Sequence, residues 1–434
     1  MILSLLLAGL LQTAPTSTLL PEGVFRSRGY GWVIDHGPQG LKLYQEAGRA
    51  CWPNPDESVT DSFGHAVDLG AGVVGLSETG DDQATVYVFD ALPSLPAACL
   101  SPATGDREAV FAIADLMAAY YPAFGSRGVD FDVRQSAMTK AWGDGADADR
   151  AFANAEALLA GLDDPHIQMS ADIGGVERAM TVSEGRTLDA IHARPGERPE
   201  RAWLTSWRTG VEQTILSGQG HVAANNRLFW GVRDNVGYLA VVTMGAFDPE
   251  DDAATAPLDM ALDEAMAAFA GTRVVVVDVS NNRGGYDSVS RRIAARFADR
   301  PRVAYLKRGW GAGTTYQTVE VGPSDRPRYL GPVWLLTSDI TVSAGETFSQ
   351  MMRVLPNVLH AGTRTRGAFS DQTPVALPNG WSFAMPMEIY VDPQGLALEG
   401  HGLEPSVKLD LYPSSDLDHG HAMAVSGLMR RLAR

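Results

Sequence analysis

Cysteine is nearly missing from this sequence: Cys51 and Cys99 are the only two in 434 residues. That excludes a disulfide-dense miniprotein. Lysine is almost as scarce, with Lys42, Lys140, Lys307 and Lys408 making up the whole set. Basic charge is short overall, since 35 Lys and Arg face 52 Asp and Glu for a formal net charge of −17. A general nucleic-acid binder needs a basic footprint to displace counterions, so that class is excluded. Beyond the first residues no stretch is apolar enough to span a bilayer, which leaves no integral membrane segment to expect. What is present is ordinary globular composition, 45% hydrophobic, 20% charged and 8% aromatic. Disorder and collagen-like repeats do not fit it, and the length suggests about three domains.

Residues Met1 to Leu11 form a short apolar run followed by the small, polar stretch Gln12 to Thr18. The run is too short to cross a membrane and reads as the apolar part of a secretory signal, so residues 1–22 are expected to be a signal peptide and leader. A mis-set start codon or a buried strand is the alternative. In an exported, secreted or periplasmic chain, Cys51 and Cys99 read as one disulfide closing a loop of the first domain; two unpaired core thiols remain the other reading.

Residues 23–100 are rich in Gly, aromatic and β-branched residues. Strand-like runs at Gly31 to Asp35, Leu41 to Gln45 and Thr85 to Phe89 suggest a small accessory β domain. Residues 101–166 form a helical segment, with Val110, Ile113, Ala114 and Met117 at helical spacing and Asp147 to Leu162 as another helix. It should stop at Asp163-Asp164-Pro165-His166, because Pro165 pushes the preceding residue out of helical geometry. From residue 167 to 410 strands and helices alternate: strands at Val236 to Thr243, Val274 to Val279 and Val333 to Thr337, helices at Pro257 to Ala270, Ser288 to Phe297 and Gly345 to Val354. That order predicts a mostly parallel sheet covered on both faces, hence an α/β class. Ala193 to Arg201 reads as a surface loop, and 411–434 as a helical tail.

Three places could carry chemistry. Thr341-Val342-Ser343-Ala344-Gly345-Glu346 follows a buried strand and opens a helix. A serine there lies beside orphan N–H groups that favour a developing negative charge. Ser-x-x-Glu is equally a capping box, so a purely structural role is open. Asp278-Val279-Ser280-Asn281-Asn282-Arg283-Gly284-Gly285 is a glycine-rich turn at the carboxyl end of the most buried strand, where open parallel sheets bind ligands. It lacks the phosphate-loop and dinucleotide patterns and could be a tight turn only. His166 is a candidate general base at a domain junction, or a surface histidine.

Taken in order, these motifs resemble those of the S41 serine peptidases. Leu162-Asp163-Asp164-Pro165-His166 is similar to the family's Leu-x-Asp-x-His turn, Val236-Gly237-Tyr238-Leu239 to its Gly-Tyr-(Leu/Ile) strand, and Asp278 to Gly285 to its Asp-x-Arg-x-Asn-x-Gly-Gly turn. Ser343-Ala344-Gly345-Glu346 is similar to its Ser-Ala-x-Glu turn. Gly362 to Ser370, Leu377 to Trp381 and Glu399 to Pro405 resemble its closing strands. The likeness covers about 105–410.

The resemblance implies a crotonase/ClpP-like αβ core, no cofactor or metal, and hydrolysis of an extended peptide or unfolded protein through an acyl-enzyme. It implies Ser343 as nucleophile and an oxyanion hole from the N–H of Ala344 with that of Gly284 or Gly285. One branch of the family uses a lysine base after a Gly-x-x-x-x-Gly stretch, but Ala368 follows Gly367 here and no lysine lies near the motifs. The tricorn-like branch instead implies His166 as general base and Glu399 as its orienter, with His401 a rival base. Pro165 stands where that branch has a serine, and Ser280 where the family has arginine. No PDZ insertion is recognisable between His166 and Val236. Arg364 and Arg366 could meet a substrate carboxylate or be solvated. Against the enzyme stands a non-catalytic protein of the same fold that binds peptide or a lipophile; acyl-CoA chemistry of the crotonase type is a third reading.

Overall fold

The computed structural model describes residues 19–55, 58–142 and 147–434. The expected signal segment therefore lies almost wholly outside the described residues. The chain begins with an antiparallel sheet of seven strands, β1 (Gly23–Ser27), β2 (Trp32–Gly37), β3 (Gly40–Ala47), β4 (Ala50–Pro53), β5 (His65–Gly70), β6 (Val73–Ser77) and β7 (Tyr87–Leu92), in the order β4-β3-β2-β1-β7-β6-β5. Cys51 on β4 is bonded to Cys99, with a Cα–Cα distance of 4.8 Å.

Helices α1 (Asp106–Tyr120), α2 (Phe131–Ala141) and α3 (Ala148–Leu159) follow. The side chain of Asp147 caps α3 by accepting from Arg150 N. This helix stops three residues before the expected Leu162, as Ala160 leaves helical geometry at ψ 134° and Gly161 takes φ 70°. One continuous apolar core unites the first sheet, α1, α3 and residues such as Met169, Phe383 and Met385 from far along the chain. The last three belong to a four-stranded sheet, β18-β19-β8-β9, that pairs β8 (Gln168–Ile173) and β9 (Val176–Thr181) with β18 (Gln372–Ala376) and β19 (Ser382–Pro386). Ala384 of β19 pairs with Gln168 in that sheet and β19 pairs with β18, so the residues just after His166 and those just after Ser370 share one sheet across β19.

Between 182 and 227 lie α4 (Arg186–His192), α5 (Pro199–Thr209), a π-helical turn (Gly210–Ile215) and β10 (His221–Ala223). The stretch Ala193 to Arg201 is thus only partly a loop: Pro199 takes the first position of α5, where its fixed φ and missing N–H cost nothing. The main sheet adds β11 (Leu228–Arg233), β12 (Val236–Val241), β13 (Val274–Asp278), β16 (Val333–Thr337), β17 (Val358–Gly362) and β21 (Val407–Lys408), parallel from β12 to β21. Alternation along the strands feeds two cores. Val275 and Val277 pack with Leu258, Leu262 and Phe269 of α6 (Ala256–Phe269), while Val274 and Val276 pack with Trp203, Val425 and Leu428 on the opposite face. Further elements are α7 (Asp287–Ala294), β14 (Arg302–Gly309), β15 (Gln317–Val321), α8 (Ala344–Arg353), β20 (Glu388–Val391) and α9 (Gly420–Leu432), the last within the tail expected to be helical, besides single helical turns at Ser58–Asp61 and Ala97–Leu100. No described helix is long and apolar enough to cross a membrane.

The Cys51–Cys99 bond spans 48 residues of sequence. Chain-entropy arguments value such a closure at up to about 4 kcal/mol. Replacing both cysteines by alanine should lower the urea midpoint of the full chain correspondingly; an unchanged midpoint would mean the bond does not constrain the unfolded chain.

Candidate active site

The serine turn is strapped to the glycine-rich turn by hydrogen bonds. Ser338 Oγ donates to Ser280 O at 2.5 Å, Thr341 Oγ1 to Val279 O at 2.8 Å, and Val342 N to Asn282 O at 3.2 Å. Over this brace Ser343 adopts φ 57° and ψ −129°, a conformation that ordinary residues avoid at a cost of about 1–3 kcal/mol. The capping box does not form. Ser343 makes no side-chain cap, and the carboxylate of Glu346 turns away to accept from Gly367 N and Ala368 N, each at 2.8 Å. Burial pushes the Glu346 carboxyl up to about 7, although the Thr365 hydroxyl and those two amides work the other way.

The hydroxyl faces the glycine turn closely. A Cβ added at Gly284 would lie 2.6 Å from Ser343 Cβ and 3.1 Å from both Ser343 Oγ and Ala344 N, and Gly284 has φ 89°. Only glycine fits there. The N–H of Gly284 is taken by Asn282 Oδ1 at 2.9 Å, and its carbonyl by Met244 N at 2.7 Å. Of the two glycines expected to offer an amide, Gly285 alone remains: among the described residues neither its N–H nor that of Ala344 has an acceptor. Asp278, at the head of this turn, is structural, accepting from Tyr238 Oη at 2.8 Å and pairing with His421 Nε2 at 2.7 Å.

His166 is held by its own turn. Buried Asp164 accepts from His166 N at 3.0 Å and from Tyr121 Oη at 2.8 Å, and lies 3.1 Å from Arg127 Nη2. Gln372 Nε2 donates to the His166 carbonyl at 3.1 Å. His166 is only 9% exposed, and its Nδ1 has no partner among the described residues. Burial lowers the His166 pKa below the usual imidazole range, against the pull of Asp164 and Asp371 and with help from Arg127 and Arg366. Glu399 Oε2 accepts from Phe369 N at 2.9 Å and Ser370 N at 2.7 Å, while its Oε1 is buried without a partner. Burial, with the Asp164 charge nearby, raises the Glu399 carboxyl well above its ordinary value, and Arg127 opposes that.

Ser343, Glu346, His166 and Glu399 are therefore all tied to one segment, 365–372, and Ser343 N itself donates to Ala368 O at 2.9 Å. No hydrogen bond directly joins Ser343 to His166 or His166 to Glu399 among the described contacts. Such bonds are often long or unformed before substrate arrives.

Other candidates are committed elsewhere. Arg364 pairs with Glu404 at 2.7 Å and Arg366 with Asp163 at 2.6 Å, while His401 is exposed. One residue was missed by distance along the chain. Lys307 lines a cleft of about 210 Å³ that also includes Gly285, Tyr286 and Asp371, and Glu78 and Tyr87 of the first sheet. Its ammonium is 3.3 Å from Asp371 and 3.6 Å from Glu388 and donates to Tyr390 Oη at 3.1 Å. Burial alone would lower its pKa, but those carboxylates outweigh it and hold Lys307 well above the usual lysine range, so it stays a cation and cannot accept a proton. No group of three or more His, Cys, Asp or Glu able to hold a metal ion occurs among the described residues.

An α/β protein with an uncapped serine at a helix N-terminus, beside a glycine-rich turn, has the local arrangement that serine-centred hydrolases use. Residues 235–409 match the model of peptidase family S41. A chloroplastic C-terminal processing peptidase from Tetradesmus obliquus is 24% identical over 207 residues, 48% of this chain and 42% of that protein. The match thus spans less than half the length of this curated relative. A solved structure described as a peptidase from Parabacteroides merdae has TM-score 0.60 and 22% identity, over 76% of this chain and 97% of its own. Mature CPAF complexed with lactacystin has TM-score 0.52 and 13% identity, over 76% and 99%. These two likenesses speak for the fold.

Gly284→Ala should leave a folded chain whose glycine and serine turns are pushed apart, and reactivity of Ser343 toward a fluorophosphonate should fall by about 100-fold or more. Wild-type labelling in a folded Gly284→Ala variant would show that the close approach of the two turns has no bearing on the serine.

Proposed function

We propose that the chain is a serine endopeptidase that hydrolyses extended peptides or unfolded proteins through an acyl-enzyme, on a crotonase/ClpP-like αβ core. One observation carries this reading: Ser343 is held at φ 57° with its hydroxyl uncapped, beside the unpartnered N–H of Ala344 and the glycine turn. A capping serine would satisfy the helix end, and a core serine would not need a strained backbone.

In this reading Ser343 Oγ attacks the scissile carbonyl carbon while its proton passes to His166 Nε2. The carbonyl oxygen becomes an oxyanion received by the N–H groups of Gly285 and Ala344, the latter at the positive N-terminal end of α8. The C–N bond then breaks, and the leaving amine takes the proton back from His166. Water, deprotonated by the same imidazole, hydrolyses the acyl-serine. Glu399 orients the imidazole through its free Oε1, directly or through one bridging water, since the His166 Nδ1 has no other partner. Export of the chain by its apolar N-terminus belongs to the same reading.

A second reading is supported by the missing direct contacts among Ser343, His166 and Glu399: a protein of this fold that binds a peptide or lipophile without cleaving it. A fluorophosphonate probe separates them. The peptidase reading expects covalent labelling at Ser343 and loss of peptide hydrolysis by more than about 1,000-fold in Ser343→Ala and His166→Ala, with melting behaviour unchanged. Absence of labelling, with ligand affinity indifferent to Ser343→Ala, favours the binder.

The pH profile is a further check. Only neutral imidazole accepts the serine proton, and burial lowers the His166 pKa. Activity should therefore hold through neutral pH and fall only below the ordinary imidazole value of about 6.5. An acid limb lying above that value would contradict His166 as the base in this environment.

A further inference from the structure

Arg127 lies in the stretch between α1 and α2 and is 5% exposed at its side chain. Its Nη2 donates to Gly367 O at 2.8 Å, 240 residues away in sequence, and lies 3.1 Å from Asp164 Oδ2. Its Nη1 donates to Asp163 O. One planar fork thus ties the turn carrying His166 to the segment carrying Ala368, whose carbonyl takes the N–H of Ser343, and Phe369 and Ser370, whose amides hold Glu399. Arg366 reinforces the same junction from the outer side through Asp163 and Ser183.

We infer that Arg127 is a positioning residue: by bridging Asp164, Asp163 and Gly367, its guanidinium fixes how closely the His166 ring approaches Ser343. The inference rests on the reading of Ser343 as nucleophile and His166 as base. A lysine cannot replace the fork, because a single ammonium cannot span two carbonyls and a carboxylate in fixed geometry.

The charge has a separate consequence. The groups acting on the His166 ring are Asp164, Asp371, Arg127 and Arg366. Those acting on Arg127 are Asp164, Tyr121, Glu399 and Asp163. Losing the Arg127 cation removes a group that disfavours the imidazolium and leaves Asp164, which favours it, less compensated. Both changes raise the pH at which the imidazole becomes neutral.

The test is the rate of fluorophosphonate labelling of Ser343 in the full chain, from about pH 4.5 to 9, with thermal unfolding measured in parallel. Wild type, His166→Ala, Arg127→Lys and Arg127→Met are compared. Arg127→Lys should label about 10- to 100-fold more slowly with its acid limb where the wild type has it, because geometry is lost and charge kept. Arg127→Met should be at least as slow, with its acid limb displaced to higher pH. Should Arg127→Met fail to fold, the lysine variant alone decides. Labelling within twofold of wild type in folded Arg127→Lys, while His166→Ala is slow, overturns the inference and leaves the peptidase reading standing. Wild-type protein that does not label, or His166→Ala labelling like wild type, removes the peptidase reading and this inference with it.

Discussion

Four successive backbone amides hold this site together. Gly367 and Ala368 donate to Glu346, and Phe369 and Ser370 to Glu399, at distances between 2.7 and 2.9 Å. Both carboxyl groups are almost fully buried. A buried carboxylate without donors costs several kcal/mol, so the segment and the two glutamates define one another. The carbonyls of the same segment do the complementary work, that of Ala368 taking Ser343 N–H and that of Gly367 taking Arg127. The segment contacts a serine turn, a histidine turn and a carboxylate that the chain spreads over more than two hundred positions.

The geometry at Ser343 follows from where Glu346 spends its oxygens. In a capping box the glutamate would satisfy the N–H of Ser343, and the hydroxyl would satisfy that of Glu346, for about 1 kcal/mol. Here Ser343 N–H goes to Ala368 O, the glutamate goes to the neighbouring loop, and the hydroxyl is left over. The straps from Ser338, Thr341 and Val342 to the glycine-rich turn sustain the positive φ that results. A local stabilising motif has been exchanged for an arrangement that only tertiary structure can maintain, the one the proposed nucleophile requires.

Much of this was legible along the sequence because it is local. Val333 to Thr337 is a strand at its predicted limits, and the helices after the glycine and serine turns start within a residue of expectation, while the helix before the His166 turn ends three residues early, at Leu159. What escaped was long-range. Ser-x-x-Glu could not be divided between cap and site, since the deciding donors lie some twenty residues downstream at Gly367 and Ala368. The pairing of β8 with β19 joins segments some two hundred residues apart. Lys307 reaches the cleft only because β14 pairs with β20, and Arg127 carries no motif around it. The start of α5 at Pro199 was readable in principle from proline's preference for the first helical turn, and the surrounding arginines obscured it.

The most direct measurement is a crystal structure of the full chain reacted with an aryl fluorophosphonate, a tetrahedral stand-in for the acyl-transfer transition state. The account predicts phosphorus on Ser343 Oγ, its free oxygen accepting from the N–H of both Gly285 and Ala344, and the His166 ring within one hydrogen bond of the adduct. An adduct whose free oxygen faces solvent, with the imidazole left apart from it, would contradict the arrangement on which the account rests.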